Sequence, residues 1–341
     1  MASNRGILTI LLTVMMLVWP IGASAQESFF KGKTVRIVVG FAAGGGFDTY
    51  TRAIARYWGR HIPGNPSIIV ENMAGAGSLI AANHVYKAAR PDGLTIGNFG
   101  GGLFMQQLKG GAGIEFDARK FEFLGVPVQD NRSCAFTKAS GITSMERWMA
   151  AKTPVKVGAT APGDLVHDGP KILQAALGLP IHLVSGYKGT ADIRLGAESG
   201  ELAGGCWGWD SIKATWSRAL ESGEAIVVVQ MVSKPHPDLP KVPLAISYAK
   251  SDDARQLIES GVTIPAITNR PYVVGPGTPK DRVQLLRKAF DATMKDPEFV
   301  ADAKKSRIDL EPIGGAEVQK MVADMFNLSP ALIAKLRDAL K

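Results

Sequence analysis

Only two cysteines and five histidines occur among 341 residues, and 7% of the chain is aromatic. Two thiols, Cys134 and Cys206, are too few for a disulfide-dense scaffold or a four-cysteine metal site. They leave one bridge or two separate buried thiols, a choice that depends on how closely the two Cα atoms approach. The histidines His61, His84, His167, His182 and His236 are widely separated, and no H-E-x-x-H occurs. No metal site is therefore expected. G-x-S-x-G is missing, as is G-x-x-x-x-G-K-[ST]. The glycines of "GFAAGGG" do not take the G-x-G-x-x-G interval either, so no nucleotide or dinucleotide cofactor is expected. Beyond Ala25 no run approaches the roughly 18 apolar residues of a membrane span.

The first segment is different. Met1 to Ala25 combines Arg5, an apolar stretch from Ile7 to Pro20, and Ala23-Ser24-Ala25 ahead of Gln26. It reads as a secretory signal peptide cleaved after Ala25, and glutamine in place of cysteine at 26 argues against a lipoprotein. The mature chain is thus expected to be exported, in a compartment that permits a Cys134 to Cys206 disulfide. The full sequence has 39 basic against 31 acidic residues, a formal charge of +8. That surplus favours anionic partners. The basic residues are scattered rather than blocked, which disfavours nucleic acid and leaves a small anionic solute.

About 300 residues exceed one typical domain and predict two lobes. Thr34 to Val39 is β-branched and apolar. Tyr50, Ile54, Tyr57, Trp58 and His61 recur at helical spacing, Ser67 to Val70 is strand-like, Leu79 to Ala89 helical, and Leu94 to Asn98 strand-like again. Such alternation predicts an α/β fold with parallel strands and helices on their faces. A second unit begins near Val126 to Asn131. It has strands at Val155 to Ala159, Leu183 to Ser185 and Ile226 to Met231, with a helix at Lys171 to Leu177. The four prolines of "SKPHPDLPKVP" mark a connection back. Asp296 with Pro297 starts a helix to about Lys305, and Ala316 to Leu340 reads as helix broken near Pro330.

Three strands run into glycine clusters: Gly44-Gly45-Gly46, Gly75-Ala76-Gly77, and Gly100 to Gly102. Parallel sheets bind ligands beyond the carboxyl ends of their strands, and glycine lets backbone N–H groups turn toward an anion. A carboxylate or phosphate nest is the natural reading. Asp48 fits either a helix cap or an organiser of this loop. Ser78 is equally open between helix amides and ligand. His167, after the "TAPGD" turn, is the histidine that could serve an exported hydrolase. Trp207 and Trp209 flank Gly208, and alternation would place both on one strand face, as core or as the apolar wall of a cleft, with Phe47 opposite.

Taken in order, "GGGFD", "IIVENMAGAGS", "AARPDGLTIG", "GYKGTADIRLGAESGEL" and "GPGTPKDRVQLLRKAFDATMKDPEFV" resemble the Bug-type (TctC-like) solute receptors of tripartite tricarboxylate transporters, over nearly the whole mature chain. The resemblance implies a type II periplasmic binding protein fold with a ligand cleft between two lobes. Residues 26–128 with 236–341 would form one lobe, and 129–235 the other. It implies a monomeric, non-enzymatic periplasmic protein that captures a small organic acid and hands it to a two-component membrane permease; a solute-sensing subunit is the related alternative. The family pattern places the first-lobe carboxylate loops at Ala43 to Asp48, with Gly44, Gly45, Gly46, Phe47 and Asp48 as contacts, and at Asn72 to Ser78, with Gly75, Ala76, Gly77 and Ser78. It places second-lobe contacts on Thr160, Ala161, Pro162, Gly163 and Asp164, and on Tyr187, Gly189, Thr190 and Asp192; Gly100, at its strand end, and Trp207, as the apolar wall, are added from the reading of the residues. The chain departs from the pattern at Ala42 and Ala43, usually prolines, and at Met73 and Ala74, usually Arg-Pro. "GGCWGWD" is also unlike commoner members, so the far end of the ligand is expected to be unusual.

Overall fold

A computed structural model describes residues 29–341; the signal peptide expected over Met1 to Ala25 lies outside the described residues. The sequence TVRIVV forms strand β1 (Thr34–Val39), in which Val35, Ile37, Val38 and Val39 are fully buried. Burial on both faces is the signature of a central parallel strand. It pairs in parallel with β2 (Ser67–Asn72) on one side and β3 (Thr95–Asn98) on the other. Next come β4 (Glu122–Val126) and β5 (Arg132–Thr137), with the chain between them passing from one sheet to a second. The second sheet adds β6 (Val155–Gly158), β7 (Ile181–Val184), β8 (Gly204–Gly208) and β9 (Ala225–Gln230). The chain then returns, and β10 (Tyr272–Val274) and β11 (Ile313–Gly314) complete the first sheet.

The strand orders are β11-β4-β10-β3-β1-β2 and β7-β6-β8-β5-β9. In the second sheet β6 runs parallel to β7 and β8, while β5 runs antiparallel to β8 and β9. Each sheet has its own apolar core. Trp58 packs edge-on to Tyr272 and Phe290, both at 5.4 Å between ring centroids, which ties the helix Gly46–Trp58 and the helix Lys280–Met294 to the first sheet. In the second, Phe136 and Trp148 meet edge-on at 4.8 Å.

Several local expectations shift by a few residues for physical reasons. The helix expected from Lys171 begins at Leu165 and carries Pro170 at its sixth position, where the ring forgoes the bond that an N–H would make to the Val166 carbonyl. Leu79 to Ala89 is α-helical only to Asn83 and widens into a π turn over His84–Ala88. The last helical region divides into Gly315–Met325 and Pro330–Ala339, the latter capped by Ser329, which accepts from the Leu332 amide. Asp296 caps Pro297–Lys305 by accepting from the Glu298 and Phe299 amides.

Cys134 on β5 and Cys206 on β8 are directly opposed and joined as a disulfide, with Cα atoms 4.0 Å apart and 72 residues between them in sequence. Closing a loop of that length removes unfolded-state entropy worth about 4 kcal/mol in the chain-entropy model. Urea unfolding of a Cys134→Ala/Cys206→Ala variant should therefore show a stability lower by up to that amount, with little change in far-UV circular dichroism. An unchanged midpoint would mean that strand pairing alone holds β5 to β8.

Candidate functional site

β1, β2 and β3 all end on the side of the first sheet that faces the second, and so do β6, β7 and β8 on theirs. Their following loops meet. The Ala42 amide donates to the Lys188 carbonyl at 3.1 Å, and the Gly46 amide to Thr190 Oγ1 at 3.4 Å. Two glycines make the approach possible. A Cβ on Gly46 would sit 1.8 Å from Ser211 Oγ; one on Gly77 would sit 3.0 Å from the Asp164 Cβ, and Gly77 has a left-handed φ of 61°. Ala76 and Ser78 on either side also have positive φ, 47° and 74°. Non-glycine residues in this region store strain, which the surroundings must overcome. Ser78 does part of this: its Oγ accepts from the Gly100 amide at 2.9 Å, so its hydroxyl braces the neighbouring glycine loop.

Between the two units lies a cavity of about 70 Å³ lined by Phe41, Gly75, Ala76, Gly77, Ser78, Thr160, Ala161, Gly186, Tyr187 and Lys188. This is room for about two waters at ~30 Å³ each. The units are therefore drawn together in this structure, and a larger solute needs them to part. Lys188 brings an exposed cation to the rim. A much larger groove, about 1280 Å³, lies at the opposite end of the second sheet, among Thr137, Val155, Ala203 and Glu224, away from the glycine loops.

Asp48 does not cap the helix Gly46–Trp58; Gly45 occupies the cap position and Asp48 lies within the first turn. Its carboxylate accepts from the Gly44 amide at 2.9 Å, from Arg52 Nε at 2.9 Å and 3.0 Å, and from Asn72 Nδ2 at 2.9 Å. Asn72 Nδ2 also donates to the Phe41 carbonyl at 2.9 Å. One buried carboxylate thus ties the first glycine turn to the end of β2. Burial pushes its carboxyl up, but the hydrogen bonds from Arg52, Gly44 and Asn72 outweigh this and hold it below the usual carboxylate range. The Gly44 amide is consequently spent on Asp48, and the amides of Ala42 and Gly46 on the opposite unit.

On the other side Thr160 Oγ1 donates to Asp164 in a short hydrogen bond, and Asp164 is 1% exposed. Here burial wins: although Thr160 and Arg132 act in the opposite direction, the Asp164 carboxyl is pushed up to about 6. Gly163 donates its amide to Asp168 Oδ1 at 3.0 Å, and Asp168 Oδ2 receives Lys109 Nζ of the first unit at 3.0 Å. His167 Nδ1 lies 2.9 Å from Asp168 Oδ1. Among the described residues no serine, threonine or cysteine side chain hydrogen-bonds the His167 ring. Pro162 is exposed, and Asp192 sits half-buried in the first turn of the helix Thr190–Glu198. The Tyr187 ring lines the cavity while its hydroxyl donates to Glu201 Oε1 at 2.8 Å.

Trp207 is not a cleft wall. It is 1% exposed in the core of the second unit, stacked on Trp216 with centroids 5.8 Å apart. Trp209 is not on the same strand face, because β8 ends at Gly208 and Trp209 opens the helix Trp209–Thr215. Phe47 stands behind the cavity wall, packed at 4.4 Å on Phe41, which lines it.

Sequence reading missed the charges at the base of the cleft, where the chain crosses between sheets. Arg132 Nη1 donates to Asp130 Oδ2 at 2.8 Å and Nη2 to the Cys206 carbonyl at 3.0 Å. Asn269 Nδ2 donates to the same Asp130 oxygen at 2.5 Å. Arg270 Nη2 reaches Asp130 Oδ1 and Asp210 Oδ2, both at 3.2 Å, and Ser211 Oγ at 2.6 Å. Pairing across some 140 positions leaves no local signal for the Asp130 to Arg270 contact.

No protein-family model matches the chain. It is 26% identical to a Cupriavidus necator protein described as "UPF0065 protein in gbd 5'region", over 92% of this chain and 90% of that one. It is 24% identical to a UPF0065 protein of Pseudomonas sp. strain P51, over 87% and 83%. Among solved structures, the periplasmic binding protein BugD superposes with a TM-score of 0.74 at 20% identity, covering 91% of this chain and 98% of that one. MatC from Rhodopseudomonas palustris, with bound malate, gives 0.71 at 20% identity over 92% and 100%. An R. palustris protein with adipate gives 0.72 at 21% identity over 89% and 97%. The expected two-lobed periplasmic binding protein fold and the resemblance to Bug and TctC proteins are borne out.

The two carboxylates predict opposite pH responses. The Asp48 carboxyl is lowered on folding, so its stabilisation is present above the ordinary carboxylate value and is lost as pH falls through its own. Asp48→Asn should cost about 1.5–3 kcal/mol in urea unfolding at pH 7 and progressively less below pH ~4. The Asp164 carboxyl is raised, so its protonated form is the stable one, and its penalty grows between about 4 and about 6. Asp164→Asn should melt higher than the wild type at pH 7.5, with the difference disappearing near pH 4. Parallel pH profiles for the two variants would refute this assignment.

Proposed function

We propose that this chain is a periplasmic receptor that binds a small organic acid between its two lobes and presents it to a two-component membrane permease. The observation that carries the reading is the convergence of glycine-rich loops from the carboxyl ends of both sheets on one cavity, with Lys188 at its rim. Ligands of open α/β sheets are expected at that place, and a protein of this overall charge attracts anions. MatC was solved with malate and the second R. palustris protein with adipate, which supports a carboxylate here. In this reading residues 26–128 with 236–341 form one lobe and 129–235 the other. The loops Gly44 to Asp48 and Gly75 to Ser78, with Gly100, receive the acid from one side. The turns Thr160 to Asp164 and Tyr187 to Asp192 close over it. The neighbours are binding proteins, which fits capture without turnover.

Closing two preformed lobes on a solute is a hinge motion, and a ligand that binds only the folded protein raises its stability by mass action. Thermal melts with malate, succinate, adipate and benzoate should show at least one acid raising Tm by several degrees. Neutral sugars and cationic amines should leave Tm unchanged. A shift by sugars or amines alone would overturn the carboxylate reading. A ligand recovered chemically altered after incubation would overturn the non-enzymatic one.

A further inference from the structure

We infer that Arg270 reads the far end of the ligand, so that the preferred solute carries a second anionic group beyond a hydrocarbon spacer. This rests on the reading of the cleft as a carboxylate site. Arg270 stands just ahead of β10 at the base of the cleft, with its side chain 3% exposed. Nη2 carries all of its described hydrogen bonds, to Asp130, Asp210 and Ser211. Nε and Nη1 are buried and have no partner among the described residues. A buried guanidinium with unpaired N–H groups is costly unless a further acceptor arrives.

The position of Nη1 says where that acceptor would come from. It lies beneath the first glycine turn: a Cβ on Gly46 would be 3.4 Å from Nη1. Two contacts cover it in the closed arrangement, Gly46 against Ser211 and the Gly46 amide against Thr190 Oγ1, and both run between the two units. Parting of the units therefore uncovers the guanidinium. From the cavity to Arg270 there is a continuous apolar path. Phe41 lines the cavity, Phe47 packs on Phe41 at 4.4 Å, and the Arg270 guanidinium lies 5.2 Å from the Phe47 ring and 4.8 Å from that of Tyr50. A methylene chain laid on the two phenyl rings would carry one acid at the glycine loops and the other at Nη1.

The local charges can accept a second acid. Asp130 and Asp210 stand against Arg132 and Arg270, and Asp210 Oδ1 also has no partner among the described residues. Burial, with Asp130 nearby, pushes the Asp210 carboxyl up to about 7 even though Arg270 draws it down. Asp210 can thus take a proton as the ligand carboxylate takes its place beside Arg270, which keeps the cluster neutral.

The test uses isothermal titration of the mature protein with adipate, its monoamide and hexanoate. Wild type should bind adipate about tenfold or more tightly than the monoamide, the fold-change expected for one charge-assisted pair. In the charge-balanced Arg270→Gln/Asp210→Asn variant that preference should fall below about threefold, whatever the change in overall affinity. The same preference in both proteins would overturn the inference. So would a wild type that binds adipate, monoamide and hexanoate alike, a result needing no variant and leaving the carboxylate reading intact. If wild type binds adipate, malate, succinate and benzoate not at all, that reading falls and this one with it.

Discussion

Two arginines and two aspartates are buried around the point where the chain crosses between its two sheets, and they tie the two crossings to β8 and to the helix that follows it. Asp130 sits on the first crossing and Arg270 on the return, so the Asp130 to Arg270 pair clamps the two crossings side by side. Taking such charges out of water costs several kcal/mol per ion, and attraction repays this only when the geometry is good and the remaining groups are satisfied. Here the satisfaction is uneven. Asp130 is held by Arg132, Asn269 and Arg270, whereas Arg270 and Asp210 keep unpartnered atoms. An apolar clamp would have been cheaper to bury. The retained charge is easier to understand if the cluster also does chemistry at the cleft it supports.

The same division between holding and binding runs through the glycine loops. In the parts list of an anion nest, free backbone amides are the active elements. Several of those in this chain are already committed: Gly44 to Asp48, Gly100 to Ser78, Gly163 to Asp168, and Ala42 to Lys188 across the cleft. The amides thus serve first to fix loop shape and to bring the lobes together. In the proposed reading, recognition of an acid falls more heavily on what remains, the left-handed Gly75 to Ser78 turn and the cations Lys188 and Arg270.

How much of this was legible depended on whether the signal was local. β1 was plain from six β-branched and apolar residues, and the glycine turn behind it from its composition. The two-sheet plan followed from alternation, and the Cys134 to Cys206 pairing was open but bounded. Asp48 was open between helix cap and loop organiser, and its bond to the Gly44 amide makes it the organiser. Gly45 took the cap position, and the side chain of Asp48 was captured by Arg52 one turn on and by Asn72 at the end of β2. The arginine lies in the helix pattern and was available to see; the asparagine was not. Trp209 was misassigned because the strand ends at Gly208, and a glycine within an apolar run does not say which side of it the element stops. Arg270 and Lys109 carried no signal at all, since their partners lie far away in sequence.

The small closed cavity sharpens what selectivity must mean here. The cavity between the lobes holds about 70 Å³, so in the proposed reading a dicarboxylate is admitted with the lobes apart. Discrimination must therefore be made while the lobes are apart and be locked in as they close. A ligand can drive that closure only through contacts that differ between the two arrangements. Contacts that merely hold the lobes shut, such as Lys109 to Asp168 or Lys213 to Asp309, favour closure for any solute and for none. Groups that closure covers before they are satisfied act otherwise. An unpaired Arg270 penalises the empty closed form and a paired one does not, so an acid reaching it would convert a general tendency to close into a selective one.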